Sequence, residues 1–549
     1  MKLNKLTGIA ALALFATVIG CQSDDTNGVN QNGDADKIIL NSDSNALNQR
    51  ISYANSGVID LIGNTGGKMS SAATASDFPL AVVAEVNAPV YNGFRLKATH
   101  VDINGPYAYV SYNTDGDKYL GAIDVINISN PNNPQLVVQA IFPKSDISAV
   151  SYNDGYLFIA GASSVDASPN LTSPAFVAKM PLQNGLLTNN YASTSVLGNV
   201  ATDIFATSSK YYAVSGNNGE LVRYNKADNT FEAAIPVADL RALGSINNKI
   251  VVLSGTQGVK VYDANSFALQ SSFATSQDVA DAKRTIDFSD NRVLVSEGRN
   301  GLGVYNLASG SKLQTIAIPT NVTGVDQQDV VTNAVSINNN KAFVANGAAG
   351  LYIYNTSGNL SLLGSLPLNG TISNASANYV KSSGDYIFVA NGNGGLKIIK
   401  MVTPPNNSID CTSFATYPGD QWLNVNSGQN LQYQGSASVQ GVNVNANLTF
   451  CGSLAVSQGL NINSGGVFYM KGALAQGQAS NPWNALIINS NAKLKVEGSV
   501  VIYGNLILNS GATLEFVGNG SSITIHGSVT KGNNVTITGN YTDTNNKLN

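Results

Sequence analysis

From about residue 107 onward the chain alternates apolar and polar positions in short runs, and the runs recur. Tyr107-Ala108-Tyr109-Val110 opens a phrase that returns as Tyr156-Leu157-Phe158-Ile159, Tyr211-Tyr212-Ala213-Val214 and Lys249-Ile250-Val251-Val252. It returns again as Arg292-Val293-Leu294-Val295, Lys341-Ala342-Phe343-Val344 and Tyr386-Ile387-Phe388-Val389. Each copy is followed by a second alternating run, as at 121–125, 258–262 and 350–354. Period-two alternation bounded by Gly, Asn and Asp predicts antiparallel strands. Four strands per unit, at a repeat of about 46 residues, predict propeller blades. Seven copies predict seven blades.

The ends of this region bear on closure. Most copies finish with an outer strand such as Lys312-Leu313-Gln314-Thr315-Ile316, but the seventh runs straight into Val402-Thr403-Pro404-Pro405. Its missing strand matches Pro79-Leu80-Ala81-Val82-Val83-Ala84-Glu85-Val86, ahead of the first copy. A strand from the N-terminal side completing the last blade would close the ring and remove exposed edges.

Past the double proline the rhythm shortens to about 20 residues. Asn426-Ser427-Gly428, Asn463-Ser464-Gly465, Asn489-Ser490-Asn491 and Asn509-Ser510-Gly511 each precede a short apolar alternation. Gly and Asn at corners that need positive φ, with β-formers between them, predict one solenoid coil per repeat. A small β-sandwich is the alternative. The fold class read from the chain is all-β: a seven-bladed β-propeller over 79–403, followed by a right-handed β-solenoid resembling secreted bacterial β-helix domains over 409–549.

Composition narrows the function. Of 549 residues only 12% are charged, against about 25% in an average domain, and the formal net charge is −4. No dense Lys/Arg run supplies the basic footprint that a nucleic-acid partner requires. The only two histidines are His100 and His526, far apart in the chain. Little material is left for a His-based metal site or triad, and no cofactor or metal is expected.

The N-terminal stretch reads as an address. Lys2 and Lys5 precede an apolar run from Leu6 to Ile19, too short for an ordinary membrane span. It ends in Val18-Ile19-Gly20-Cys21, which resembles a bacterial lipobox; the resemblance implies cleavage after 1–20 and acylation of Cys21. Gln22-Ser23-Asp24-Asp25 resembles the surface-export signal of Bacteroidota lipoproteins. The Asn-, Asp-, Ser- and Gly-rich stretch 21–78 is expected to be a lipidated flexible tether, with one short ordered piece around 51–62. Localisation is expected to be the outer membrane, facing outward and held by lipid alone. The wording of the first repeat, Gly121-Ala122-Ile123-Asp124-Val125-Ile126-Asn127-Ile128-Ser129-Asn130-Pro131-Asn132-Asn133-Pro134, resembles the LVIVD-repeat propellers of bacterial and archaeal surface proteins. That resemblance implies fold and surface location and carries no catalytic residue.

Cys411 and Cys451 are the cysteines left once Cys21 is lipidated, and in an oxidising envelope they are expected to pair. Charges gather in the loops of one propeller face. Asp115, Asp117, Asp278, Asp281, Arg284, Arg299, Asp326 and Asp329 form a candidate binding rim, although charge also collects wherever strands are absent. Asn113-x-Asp115-x-Asp117, with Asp124 further on, partly imitates a calcium loop, but Lys118 stands where such loops need Gly. His100 and Asp102 share a face of an inner strand, where channel lining is expected. No GxSxG elbow accompanies them, and no GxGxxG opens a helix. Trp422, Trp483, Tyr417, Tyr433 and Tyr469 are aromatics that could meet a sugar but are expected to cap or fill the solenoid. The function expected is a non-enzymatic platform for outer-membrane or cell-surface proteins, as an accessory subunit or adhesion module. The alternatives are a glycan-capturing lipoprotein serving nutrient uptake and, behind it, a surface hydrolase.

Overall fold

The computed structural model describes residues 38–59, 78–130, 132–166, 171–276, 282–368, 375–405 and 412–548. Cys21 to Asp25, Asp278, Asp281 and Cys411 lie outside the described residues.

Seven four-stranded antiparallel sheets form the propeller. Blade 1 runs Lys97–Asn104, Tyr107–Asn113, Gly121–Asn127 and Gln135–Phe142 from the axis outward. Blades 2 to 6 repeat this order, beginning with Ser145–Asn153, Ala201–Ala206, Leu240–Ile246, Ile286–Ser289 and Ala334–Asn338. Blade 7 contributes Ala375–Ser383, Tyr386–Gly392 and Leu396–Met401, and its outer strand is Leu80–Val86, antiparallel to Leu396–Met401. The N-terminal strand therefore closes the ring.

The middle strands are apolar on both faces because each blade is sandwiched between two others. Tyr211 faces blade 2 while its neighbour Tyr212 faces blade 4. Each of the seven blade–blade seams holds its own buried apolar cluster, the one between blades 7 and 1 included.

The expected tether is shorter than its composition suggested, because 38–59 is built into the propeller. Ile39–Asn41 adds to the outer strand of blade 1, and Ile51–Ser52 and Gly57–Val58 add to the outer strand of blade 7. Between them the short helix Ser44–Asn48, N-capped by Asp43, buries Leu47 in the 7/1 seam. Arg50 forms a two-pronged ion pair with fully buried Asp124 and also donates to the Asn87 carbonyl. The segment is a strap across the joint where the ring closes.

The C-terminal domain is a β-solenoid of parallel ladders. One runs along the long strands Asn430–Val439, Asn447–Val456, Val467–Gln476 and Lys493–Ile502, and another through six short strands from Trp422–Val425 to Val529–Lys531. Leu448, Phe468, Leu494 and Leu514 stack inward in register and form part of one continuous core. Gly452, Gly472 and Gly498, with φ between 129° and 134°, occupy one column; a Cβ on any of them would lie 2.0–2.1 Å from the carbonyl oxygen of the glycine one coil earlier. Asn445, Asn463, Asn489 and Asn509 pass an amide hydrogen bond from coil to coil. Cys451 is buried and disulfide-bonded. Tyr417 and Tyr433 pack against the first coils, whereas Trp483 is 85% exposed. At the far end Leu548 folds into the core.

The two domains are joined through the strap. Val58 N–H donates to the Gly477 carbonyl, Ala479 N–H to the Ser56 carbonyl and the Gln478 amide to the Val58 carbonyl. Val58, Ala81, Ala455, Ala475 and Tyr503 form a buried cluster there. The His526 ring stacks on Tyr503 of the solenoid and Tyr53 of the strap, with centroids 5.1 and 6.1 Å away.

Candidate binding face at the mouth of the propeller channel

The inner strands begin at one face, here called the mouth, and run to the far face. Near the axis they are tied to one another by side chain–backbone bonds. Thr99 Oγ1 of blade 1 donates to the Ile147 carbonyl of blade 2, and Thr202 of blade 3 to Leu240 of blade 4. Asn333 of blade 6 donates to Ala377 of blade 7, and Asn378 of blade 7 returns to Ala98 of blade 1. Deeper, Asp102, Asp203 and Asp287 of blades 1, 3 and 5 accept the N–H of Tyr152, Leu243 and Ile337 on the next blade. A carboxylate that accepts buried N–H groups does structural work, because an unpaired backbone donor there costs about 1–3 kcal/mol.

This arrangement separates His100 from Asp102. A bulge between Ala98 and His100 shifts the strand register. The His100 ring lies 3.9 Å from that of Tyr379, with Nε2 4.0 Å from Asp203 Oδ1 and Nδ1 without a hydrogen-bond partner. Burial, reinforced by Lys283 and Lys381, drives the His100 pKa well down, so the imidazole is neutral at pH 7. Asp102 turns instead to Tyr152 and lies 3.7 Å from Lys381. Burial raises Asp203 to about 6 and lowers Lys283 to about 8, with Asp203 opposing the second shift.

Above this layer the mouth opens into a cavity of about 440 Å³, lined by residues from all seven blades. Lys97, Arg241 and Lys283 supply three cations; Thr99, Asn113, Ser148, Asn333, Ser376 and Asn378 are among the hydroxyls and amides. Lys283 reaches from blade 5 across the channel, with Nζ donating to the carbonyls of Thr99 and Ser148 at 2.8 and 2.9 Å. It forms a floor to the cavity.

The expected rim is partly here. Asp115 lines the cavity and pairs with Lys97, and Asp117 is exposed beside it. Asp326 caps the 3-10 turn Gln327–Asp329 by accepting the Gln328 N–H, and both Asp326 and Asp329 are exposed just before Val331 of the lining. Arg299 reaches the Gln328 carbonyl of the same loop. Arg284 is a correction: it is 1% exposed and donates to the carbonyls of Ser296, Gly255 and Ser276. Its backbone φ of 54° belongs to the left-handed region, and its guanidinium lies buried among those carbonyls rather than on the rim. The calcium-like set is also dispersed, since Asp124 is engaged by Arg50 and Asp115 by Lys97. Sequence reading passed over Lys97, Asp203, Arg241, Asp287 and Lys381, whose one local signal is a charge inside an inner strand, as in Ile286-Asp287-Phe288, and Tyr379, which carries no such signal.

Among the described residues the solenoid leaves this face clear. Its contacts lie at Val58 and Ala81, toward the far-face end of blade 7, and at Asn132, in a far-face loop of blade 1, whose amide donates to Thr524 Oγ1 at 3.4 Å.

No protein-family model matches the chain, and no curated protein sequence matches it. Among solved structures, the RRP9 WD40 repeats align with a TM-score of 0.43 at 13% identity, over 57% of this chain and 97% of theirs. U3-55K aligns with the same score and identity, over 57% of this chain and 98% of its own. The computationally designed Ika8 protein aligns with a TM-score of 0.37 at 11% identity, over 63% of this chain and 96% of its own.

Proposed function

We propose that the chain is a lipid-anchored protein of the bacterial outer membrane, displayed outward, that serves as a non-enzymatic platform for protein partners. The lipobox-like Val18-Ile19-Gly20-Cys21, the Gln22-Ser23-Asp24-Asp25 phrase and the LVIVD-like wording of the first repeat support the location. The observation that carries the platform reading is the mouth face, left clear of the solenoid among the described residues. A ring closed by its own N-terminal strand and strapped to a solenoid presents a rigid, mixed-charge rim, with Asp115, Asp117, Asp326 and Asp329 exposed. Rigid surfaces lose little entropy on docking, and charge of both signs sets register and partner choice. The one proton-transfer pair legible in the sequence is engaged structurally, which favours binding over turnover.

Glycan capture is the second reading, favoured by the polar cavity at the mouth. Purification from membranes in mild detergent separates the two. A stoichiometric outer-membrane or cell-surface partner is the expected result. Retention on a polysaccharide column with no such partner would replace the platform reading with glycan capture.

A further inference from the structure

We infer that the cavity at the channel mouth is a binding site for a small carboxylated sugar, a uronate-type saccharide, with Lys283 as counter-ion to its carboxylate. The inference goes beyond the platform reading and stands or falls separately from it.

Three observations converge. The first is an ammonium without a counter-ion. Lys97 has Asp115 and Arg241 has Asp239, but among the described residues Lys283 has no carboxylate within ion-pair distance. Two of its three protons go to the Thr99 and Ser148 carbonyls, which leaves one donor unused. A buried cation held by two neutral carbonyls and the Tyr379 ring 5.3 Å away, with Asp203 acting on it only from beyond ion-pair distance, is costly, and an entering carboxylate would supply the missing close charge. Burial also lowers its affinity for protons, to a pKa of about 8, so it still carries its charge at pH 7.

The second observation is a set of free polar side chains around it. Those of Asn113, Ser148 and Ser376 line the cavity, are half-buried and hydrogen-bond to no other described residue. The third is the character and size of the space. Among the described residues its lining carries three cations against one carboxylate, Asp115, which Lys97 pairs, and otherwise hydroxyls and amides, with Ala282 and Val331 its only apolar members. Hydroxyl and amide groups suit a polyol, whereas an apolar side chain or lipid tail would need apolar walls. The volume of about 440 Å³ lies within the range of roughly 300–1,000 Å³ usual for small-molecule sites. The Lys283 floor makes it a pocket rather than a pore.

The test is calorimetric titration of the full-length mature protein with digalacturonate, its methyl ester and an acidic peptide of equal charge. One saturable site is expected, at least tenfold tighter for digalacturonate than for either the ester or the peptide. Lys283→Met should weaken digalacturonate at least tenfold while leaving the weak affinity for the ester unchanged. The Ser148→Ala/Ser376→Ala pair, which leaves the floor in place, should weaken both sugars and keeps the inference testable if Lys283→Met does not fold. Absence of saturable digalacturonate binding, tighter binding of the peptide, or binding indifferent to the serine pair would overturn the inference. A detergent purification that yields no protein partner would not touch it.

Discussion

Gly57→Ala is a sharp test of how the strap couples the two domains. Gly57 pairs with Val82 of blade 7 on one side and bridges to Gln478 of the solenoid on the other. Its φ is 145°, and an added Cβ would lie 2.6 Å from Gln478 Cα and 2.8 Å from the Gly477 carbonyl oxygen. The backbone strain alone is of order 1–3 kcal/mol for a residue with a Cβ. To escape the clash the strap must withdraw, which breaks the three domain-joining hydrogen bonds from Val58, Ala479 and Gln478, each about 0.5–1.5 kcal/mol net. A coupling loss of about 1.5–4.5 kcal/mol follows, with both domain cores untouched because the seam clusters and the solenoid core share no residue. Differential scanning calorimetry reads this directly. The parent should unfold in one transition, and the variant in two. Gly93→Ala is the control, also at positive φ but with nothing within 4 Å of its Cβ, and should keep one transition. If Gly57→Ala also unfolds once, within about 1 kcal/mol of the control, the strap does not hold the domains together.

Gly472→Ala should destabilise the solenoid by several kcal/mol in urea unfolding, because its Cβ would meet the Gly452 carbonyl oxygen at 2.1 Å; Gly465→Ala, with open space around it, should cost about 1–2 kcal/mol. Asp203 has a folded pKa of about 6 against 3.8 unfolded, so the folded state takes up the proton first and acidification from pH 7 to 5 favours folding through this group. The stability difference between Asp203→Asn and the parent should therefore move toward the parent over that range, by about 1 kcal/mol; a pH-independent difference would remove the buried-carboxylate assignment. Cys21→Ala should release the protein from membranes or leave an uncleaved precursor. Asp24→Ala with Asp25→Ala should keep it lipidated but shielded from protease added to intact cells.

The blades and their closure were legible because the signal sits in side chains: apolar runs buried on both faces, and an outer strand missing from one end of the repeat but present at the other. The solenoid was legible in the same way, from corner glycines and the asparagines that became an amide ladder. The strap was not. Ile39–Asn41, Ile51–Ser52 and Gly57–Val58 join existing edges mainly through backbone hydrogen bonds, which leave little trace in a polar, tether-like composition. Charge position along the chain located Asp115, Asp326 and Asp329 near the mouth but misplaced Arg284, because a single left-handed residue can bury a guanidinium beneath a loop. Channel lining was expected of His100, but the partners it meets stayed hidden for another reason. His100, Asp203, Lys283 and Tyr379 come from four blades and meet only when the ring closes.

The most direct test of the platform reading is site-specific photocrosslinking on intact cells. A photoreactive residue at Gln328, exposed in the mouth rim, is compared with one at Asn340, exposed in a far-face turn of blade 6. Gln328 should yield a discrete adduct with an outer-membrane or surface protein, and Asn340 should yield none. Adducts from Asn340 alone, or equal adducts from both positions, would contradict the claim that the mouth is the docking face.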